Sequence, residues 1–442
     1  MKVLLIYPPF CTPASPPYSI TNLYSYLKPN SNSEIEVMDL NLEFHKLKFP
    51  EFQKYYQEGD FEDYDEMTSK FRTVSKETFS GNNKKVLANE KPEFFDEILK
   101  KIKDSKPDVV AFSVVYSSQA FYTYALLKEL KDYKTVIGGP SANMKLIKAA
   151  DEVLCNEKEL LNYLDDDEII TKEEISLDFS IYKEEYFTPE PVIPIKTSTT
   201  CYYKGCAYCS HFSSCEYEEY PLKLIKKTIE NSKQKYFFII DEMIPTPRLL
   251  EIAKMIKPLN VFWTCQLKPI KNLTYEVLKE LYDSGLTQIM WGLESGCDRI
   301  LKLMRKGTNK SDIQEVLQNS HKAGIKNIAY IIFGFPTETK EEFIETINFL
   351  KENNEFLDLL SPSIFGLHEG TIIEKNPARF GITKIIKEER TILEPKISYE
   401  VSEGLTNDQA RRLRQAYKNT LNKINKYPKT MNFFREHMFV KN

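Results

Sequence analysis

Nine residues, Cys201–Cys209, read CYYKGCAYC and set three thiols at C-x4-C-x2-C spacing. Thiolates are soft anionic ligands, and three of them on one short loop suit iron with inorganic sulfide. Such a cluster normally takes four thiolates, and no equally convincing fourth stands beside these three. One metal position would then be open to a substrate or cofactor. A zinc staple completed by His211 or Cys215 competes for the same residues. A disulfide is the weaker reading, since nothing in the chain suggests export. Gly205 is expected to supply the turn just before Cys206.

The elements that carry this loop come from a chain of 442 residues, too long for one ordinary core, so two domains with appendages are expected. A hydrophobic content of 42% with 28% charged residues describes a soluble globular protein. The net charge of −4 predicts no broad attraction to nucleic acid or anionic membrane. No apolar run is long enough for a spanning helix. The opening MKVLLIYPPF reads as a buried strand rather than a signal peptide. The eight cysteines read as reduced thiols of a cytoplasmic protein.

Residues 1–165 alternate strands and helices. Val3–Tyr7, Ile35–Asp39, Asp108–Val115, Lys134–Ile137 and Glu152–Leu154 read as strands. Helices are expected near Tyr18–Leu27, Gln119–Leu130 and Lys158–Leu164. Residues 41–105 read as an irregular helical insertion with a turn at Gly81-Asn82-Asn83. This alternation predicts a doubly wound, Rossmann-like parallel sheet, whose ligands sit at the strands' carboxyl ends.

An acidic, proline-punctuated stretch, 166–190, is expected to link this domain to residues 191–375, where six strand–helix units begin. Their strands are Pro194–Ser198, Tyr236–Ile240, Val261–Cys265, Gln288–Trp291, Asn327–Phe333 and Leu357–Phe365. Ser311-x-x-Gln314 and Thr339-x-x-Glu342 read as capping boxes, and Gly285, Gly307 and Gly324 as helix ends. Six units predict an open partial barrel, a (β/α)6 half-closed form, with functional residues at the carboxyl ends of the strands. The cysteine loop follows the first strand and lies at that mouth. Residues 376–442 read as a small, mainly helical cap with one strand-like piece and a helix over Thr406–Ile424.

The cysteine loop resembles that of the radical S-adenosylmethionine (radical SAM) superfamily. Tyr208 fills the aromatic place before the last cysteine, and Lys204-Gly205 lengthens the first gap by one residue. The resemblance continues through Gly292-Leu293-Glu294-Ser295, the helix Ile300–Gly307, and Gly334-Phe335-Pro336-Thr337-Glu338-Thr339, with Thr337 in place of a second glycine. It implies that Cys201, Cys206 and Cys209 hold a 4Fe–4S cluster whose unique iron binds the methionyl group of S-adenosylmethionine. It further implies Tyr208, Asp241, Glu242, Glu294, Ser295, Gly334, Phe335 and Pro336 as cofactor contacts: Asp241 and Glu242 at the amino group, Glu294 at the ribose, and the last three at the adenine. Lys306 reads as a solvated helix-end cation, Met304 as helix core, His211 as a pocket-wall residue.

The first domain resembles the cobalamin-binding domain of one radical SAM subfamily, on KVLLIYPP, Asp39-Leu40-Asn41, the strand ending at Ser113, and VIGGPSA. Contacts would come from Ser113, Tyr116, Gly138, Gly139 and Pro140. Two departures stand out. There is no D-x-H-x-x-G sequence, and the usual glycine–acid turn is Cys155-Asn156-Glu157-Lys158-Glu159. The resemblance implies reductive cleavage of S-adenosylmethionine and hydrogen abstraction from an unactivated C–H bond, with cobalamin-dependent C-methylation as the first specific expectation. A rearrangement, decarboxylation or cyclisation with a vestigial first domain is the alternative, and a zinc-stapled binding protein the reading from another class. Expected partners are a small-molecule or peptide substrate and an electron donor such as flavodoxin or ferredoxin, with no nucleic acid and no membrane.

Overall fold

The computed structural model describes residues 1–165, 175–183, 185–210 and 215–441. The chain forms two compact units, one of residues 1–194 with 227–233 and 389–395, the other of 195–226, 234–388 and 396–442. Among the described residues no helix is long and apolar enough to cross a membrane.

The first unit is built on β1 (Lys2–Tyr7), β2 (Glu34–Asp39), β3 (Val109–Ser113), β4 (Lys134–Gly138) and β5 (Glu152–Val153), in the order β2-β1-β3-β4-β5. All neighbouring pairs are parallel. Central strands covered on both faces need apolar residues at every position rather than alternate ones. Val3, Leu4, Leu5 and Ile6 are fully buried, as are Val109 and Val110. Each such side chain contributes about 1.5–3 kcal/mol of transfer free energy. The edge strand β2, EIEVMD, is only half-buried and mixes charge into its pattern.

The insertion is helical as expected, running through Leu40–Lys48, Pro50–Glu58, Tyr64–Leu87 and Phe95–Asp104. Its own aromatic core holds it together, with Phe71 edge-on to Phe49 and Phe52 at 5.3 and 5.2 Å. Gly81-Asn82-Asn83 is not a turn: it lies inside the 24-residue helix. Asn82 is buried there, and its side-chain oxygen accepts a hydrogen bond from the Glu93 amide at 2.9 Å. That tertiary bond outweighs the local turn preference.

The second sheet runs β6 (Val192–Ile195), β7 (Tyr236–Ile239), β8 (Phe262–Leu267), β9 (Leu286–Glu294), β10 (Lys326–Phe333) and β11 (Leu359–Ile364), each strand beside the next in sequence order. The pairs from β7 to β11 are parallel. Simple sequence order with a helix between most strands is the partial barrel expected from the sequence. Thr339 and Glu342 form their capping box, and Gly324, at φ 96°, closes the helix Lys310–Ala323. The other expected box is displaced, because Asn309 rather than Ser311 caps that helix, accepting from the Asp312 amide at 3.0 Å.

The C-terminal segment departs most from expectation. It carries an antiparallel hairpin of β12 (Ile382–Glu388) and β13 (Lys396–Val401). The helix expected over Thr406–Ile424 is two, Asn407–Ala416 and Lys418–Asn422, with a break at Tyr417. A short helix, Arg435–Val440, follows.

Candidate functional site

The cysteine loop follows β6 and is anchored from both ends. Asp241, fully buried just past β7, accepts from the Thr197 amide at 2.8 Å, Thr197 Oγ1 at 3.0 Å and Ser198 Oγ at 2.5 Å. Burial raises its pKa against these bonds. Its carboxylate thus fixes the chain entering the loop. Glu242 stands beside it, 3.6 Å from Lys196 Nζ, with Oε2 buried and without a hydrogen bond. Farther along, the Ala207 amide donates to the Met304 carbonyl at 2.9 Å, and the Ile373 amide donates to the Ala207 carbonyl at 3.0 Å. Ala207, Ile300, Met304, Phe335 and Phe380 share one apolar cluster, which seats the loop on the barrel. Met304 is helix core, as the sequence suggests.

The left-handed residue of the loop is Lys204, at φ 48°, not Gly205. Gly205 is required for space, since a Cβ there would lie 2.7 Å from the Tyr203 ring. Cys201, Cys206 and Cys209 are free thiols of intermediate exposure. Cys215 is exposed, and its carbonyl accepts from Lys204 Nζ at 2.9 Å. His211 lies outside the described residues.

Tyr208 ties the loop to the end of β9. Its hydroxyl donates to Glu294 Oε1 at 2.9 Å, and Lys306 Nζ donates to the same oxygen at 2.8 Å and to the tyrosine oxygen at 3.1 Å. Lys306 is therefore not a solvated cation. It is 6% exposed and paired with Glu294, also 6% exposed. Burial opposes its charge, but Glu294 and Cys206 raise its pKa. Glu294 adopts φ 69°, a left-handed conformation unfavourable to a non-glycine residue and typical of functional sites. The Tyr208 and Lys306 bonds both fall on Oε1, and Oε2 of Glu294 accepts no hydrogen bond among the described residues.

Lys268, immediately after β8, was not singled out from the sequence. It is buried, its ammonium stands 3.2 Å from the centroid of the Tyr203 ring, and burial lowers its pKa to about 8. The signal was positional, a lysine at the carboxyl end of a barrel strand. Burial raises the Cys206 thiol, while Lys306 and Lys268 pull it back. Three free thiols on one loop with two buried ammonium groups beside them fit an anionic iron–sulfur group. Among the described residues no three His, Cys, Asp or Glu side chains converge as ligands of a single ion would.

The turn after β10 is buried. Phe335 packs against Phe365 at 4.9 Å, and Pro336 is enclosed. The Gly334 amide donates to Glu338 Oε2 at 2.5 Å, whereas Oε1 of that buried carboxyl has no partner. Thr337 stands at φ 68°, where the family places a glycine. Arg299 clamps its carbonyl at 2.7 Å, and Gly381 leaves room for its methyl. Ser295 faces away, bonded to Thr346 Oγ1 at 3.0 Å on the helix Lys340–Glu352.

In the first unit the loops after β1, β3 and β4 are knitted together. Gln119 Oε1 accepts from the Val115 and Tyr116 amides at 2.8 and 2.9 Å, and Nε2 donates to the Pro8 carbonyl at 2.7 Å. Ser113 is buried beside Gly138 in the sheet. Gly138 and Gly139 are required by the protein's own backbone: a Cβ would lie 2.6 Å from the Leu154 carbonyl oxygen at the first and 2.4 Å from that of Val114 at the second. Pro140 is exposed, and so are Tyr116, Met144 and Val153. The Cys155–Glu159 stretch forms a helix cap, with Asn156 accepting from the Glu159 amide at 2.9 Å.

Residues 195–350 match the family described as the Radical SAM superfamily. Over 185 residues the chain is 29% identical to the bacteriochlorophyllide d C-12(1)-methyltransferase of Chlorobaculum tepidum, which covers 39% of this chain and 40% of that one. Over 107 residues it is 30% identical to an uncharacterized methyltransferase of Pyrococcus horikoshii, covering 24% and 23%. The chain thus spans less than half the length of these two relatives. In fold it is similar to the radical S-adenosylmethionine methyltransferase TsrM of Kitasatospora setae, solved with cobalamin and a [4Fe-4S] cluster bound. That likeness has a TM-score of 0.59 at 15% identity, over 89% of this chain and 82% of that one. With the cysteine loop, the Glu294 strand end and the turn at Gly334 carried on one six-stranded parallel sheet, residues 195–350 belong to the radical SAM superfamily.

Proposed function

We propose that the chain is a radical SAM enzyme that takes hydrogen from an unactivated C–H bond, and that its reaction is cobalamin-dependent C-methylation. The observation that carries the reading is the junction of Tyr208, Glu294 and Lys306, which joins the three-cysteine loop to the Gly-x-Glu-Ser strand end through buried, charge-assisted bonds. Cys201, Cys206 and Cys209 would hold the cluster. Glu294 Oε2, the Glu242 carboxylate and the turn at Gly334–Pro336 are the groups left to hold S-adenosylmethionine. When bound, a 4Fe–4S cluster and S-adenosylmethionine would supply one-electron cleavage of a sulfonium C–S bond, and cobalamin would add a methyl donor.

The protein's own tasks are positional and electrostatic. Lys268 and Lys306 offset negative charge at the thiolates. Asp241 holds the entry of the loop, and the apolar cluster around Phe335 keeps water from its back. In the first unit the exposed apolar residues Tyr116, Pro140, Met144 and Val153 are the candidates to meet a corrin. Substrate and electron donor remain proposals of class only: a small molecule or peptide, and a flavodoxin- or ferredoxin-like protein.

One observation favours a second reading, radical chemistry without methyl transfer. The space beside Gly138 and Gly139 is filled by the protein's own carbonyls rather than left for a ligand. The experiment that separates the two is anaerobic incubation of the reconstituted chain with reductant, hydroxocobalamin, S-adenosylmethionine and a small-molecule extract as the substrate source. Methylation predicts that 5′-deoxyadenosine and S-adenosylhomocysteine rise in step. Deoxyadenosine alone excludes methyl transfer, and neither product overturns the enzyme reading.

A further inference from the structure

The two faces of the second sheet differ in chemistry. On β10, Asn327 bonds Trp291 Nε1 at 2.7 Å and Ser320 Oγ, on the helix Lys310–Ala323, at 2.6 Å. Asn327 and Trp291 therefore turn toward the helices. Successive side chains on a strand alternate, so Gln288 and Met290 on β9 and Tyr330 on β10 turn to the inner face. The parallel register sets Thr264 beside Gln288, Gln266 beside Met290, and Tyr330 beside Ser361.

Barrel interiors are ordinarily filled by bulky branched side chains. This one sets Thr264, Gln266, Gln288 and Tyr330 among the apolar Met290, Ile328 and Ile332. It is also open, because Gln266, Gly292, Tyr330 and Ile332 are partly exposed in mid-strand while Cys265, Trp291, Ala329 and Ile331 are buried. Gln288 is 1% exposed, and neither atom of its amide has a hydrogen-bond partner. The amide is packed against protein on all sides, so it sits beneath the inner face rather than on it.

The floor comes from the end of the chain. The helix Arg435–Val440 crosses the start of β10, where Lys326 Nζ donates to the Lys441 carbonyl at 3.1 Å, and Phe439 meets Tyr236 of β7 edge-on at 5.4 Å. Its first residue reaches the inner face. The Arg435 guanidinium donates to the Tyr330 hydroxyl, lies 5.2 Å from the centre of that ring and 3.9 Å from Met290 Sδ. Its Nε donates to the Asn432 carbonyl at 3.3 Å, and the guanidinium interacts electrostatically with the Glu436 carboxyl, without an ion-pair contact among the described residues.

We propose that Arg435, reaching this inner face, seats the substrate, and that the substrate is a small molecule carrying a carboxylate. A single planar guanidinium suits a monoanionic carboxylate, whereas a phosphate dianion is ordinarily met by several cations. Tyr330 pairs beside Gly292, two residues before Glu294, so the rest of the molecule extends toward the candidate cofactor site. Only the identification of this anion as the substrate rests on the function proposed above.

The test is calorimetric titration of the full chain with benzoate, its neutral isostere benzamide, and inorganic phosphate. Arg435→Gln and Arg435→Lys are titrated alongside, with thermal melting as the check that each is folded. The expected result is benzoate binding at least about tenfold tighter than benzamide and phosphate. That preference is lost in Arg435→Gln and partly kept in Arg435→Lys. Equal binding of benzoate and benzamide, tighter binding of phosphate, unchanged benzoate binding in folded Arg435→Gln, or no benzoate binding at millimolar concentration would each overturn the proposal. The titration needs neither cluster nor S-adenosylmethionine, so its failure is distinct from a failure of the radical reading.

Discussion

Glu338 shows how one buried residue couples the turn after β10 to pH. Burial raises its carboxyl from the ordinary 4.5 to about 8, with the Gly334 amide bond only partly offsetting the effect. A carboxyl whose folded pKa lies above its unfolded value binds its proton more tightly in the fold. Its contribution is fully present below about pH 4.5 and is lost as pH rises through about 8. Each unit of displacement corresponds to about 1.4 kcal/mol. Glu338→Gln, which keeps the shape and stays neutral, should therefore flatten the decline in melting temperature between pH 5 and 8. An unchanged slope would show that Glu338 titrates normally.

The residue scale is also where the sequence was most and least legible. Cys201, Cys206, Cys209 and Glu294 stand out in the sequence by type and spacing, and the fold adds which residues surround them. The partners of Glu294 do not stand out. Lys306 looked like a helix-end cation because a lysine after a short helix normally is one, and only the fold shows that the chain curls at Arg305, φ 55°, to bury it. Lys268 went unnoticed because its neighbour, Tyr203, is 65 residues away in sequence.

Among the elements, strands buried on both faces announced themselves as apolar runs, and the β1–β3–β4 core and the barrel strands followed from them. Elements defined by a distant partner did not. The hairpin of β12 and β13 presents charged residues at many positions, and only one strand-like piece was expected of it. Gly81–Asn83 carries a turn's composition inside a helix because Asn82 bonds the Glu93 amide. The glycine pair after β4 gives an element-scale prediction. Gly139 stands at φ 104°, with the Val114 carbonyl oxygen 2.4 Å from where a Cβ would go. Gly139→Ala should lower the melting temperature of the ligand-free protein by several degrees, since backbone strain of this kind costs about 1–3 kcal/mol. An unchanged melting temperature would mean that the space belongs to a ligand instead.

For the whole molecule, the account rests on three thiols. The proposed roles of the first unit and of Arg435 both presuppose that the cysteine loop holds iron. The direct measurement replaces Cys201, Cys206 and Cys209 together with alanine and compares the variant with the parent after anaerobic reconstitution, recording iron, zinc, sulfide and 5′-deoxyadenosine formed from S-adenosylmethionine under reductant. The parent should hold about four irons with matching sulfide and release deoxyadenosine, while the folded variant should lose both. A variant that still cleaves S-adenosylmethionine, or a parent that binds zinc and no iron, would contradict the account.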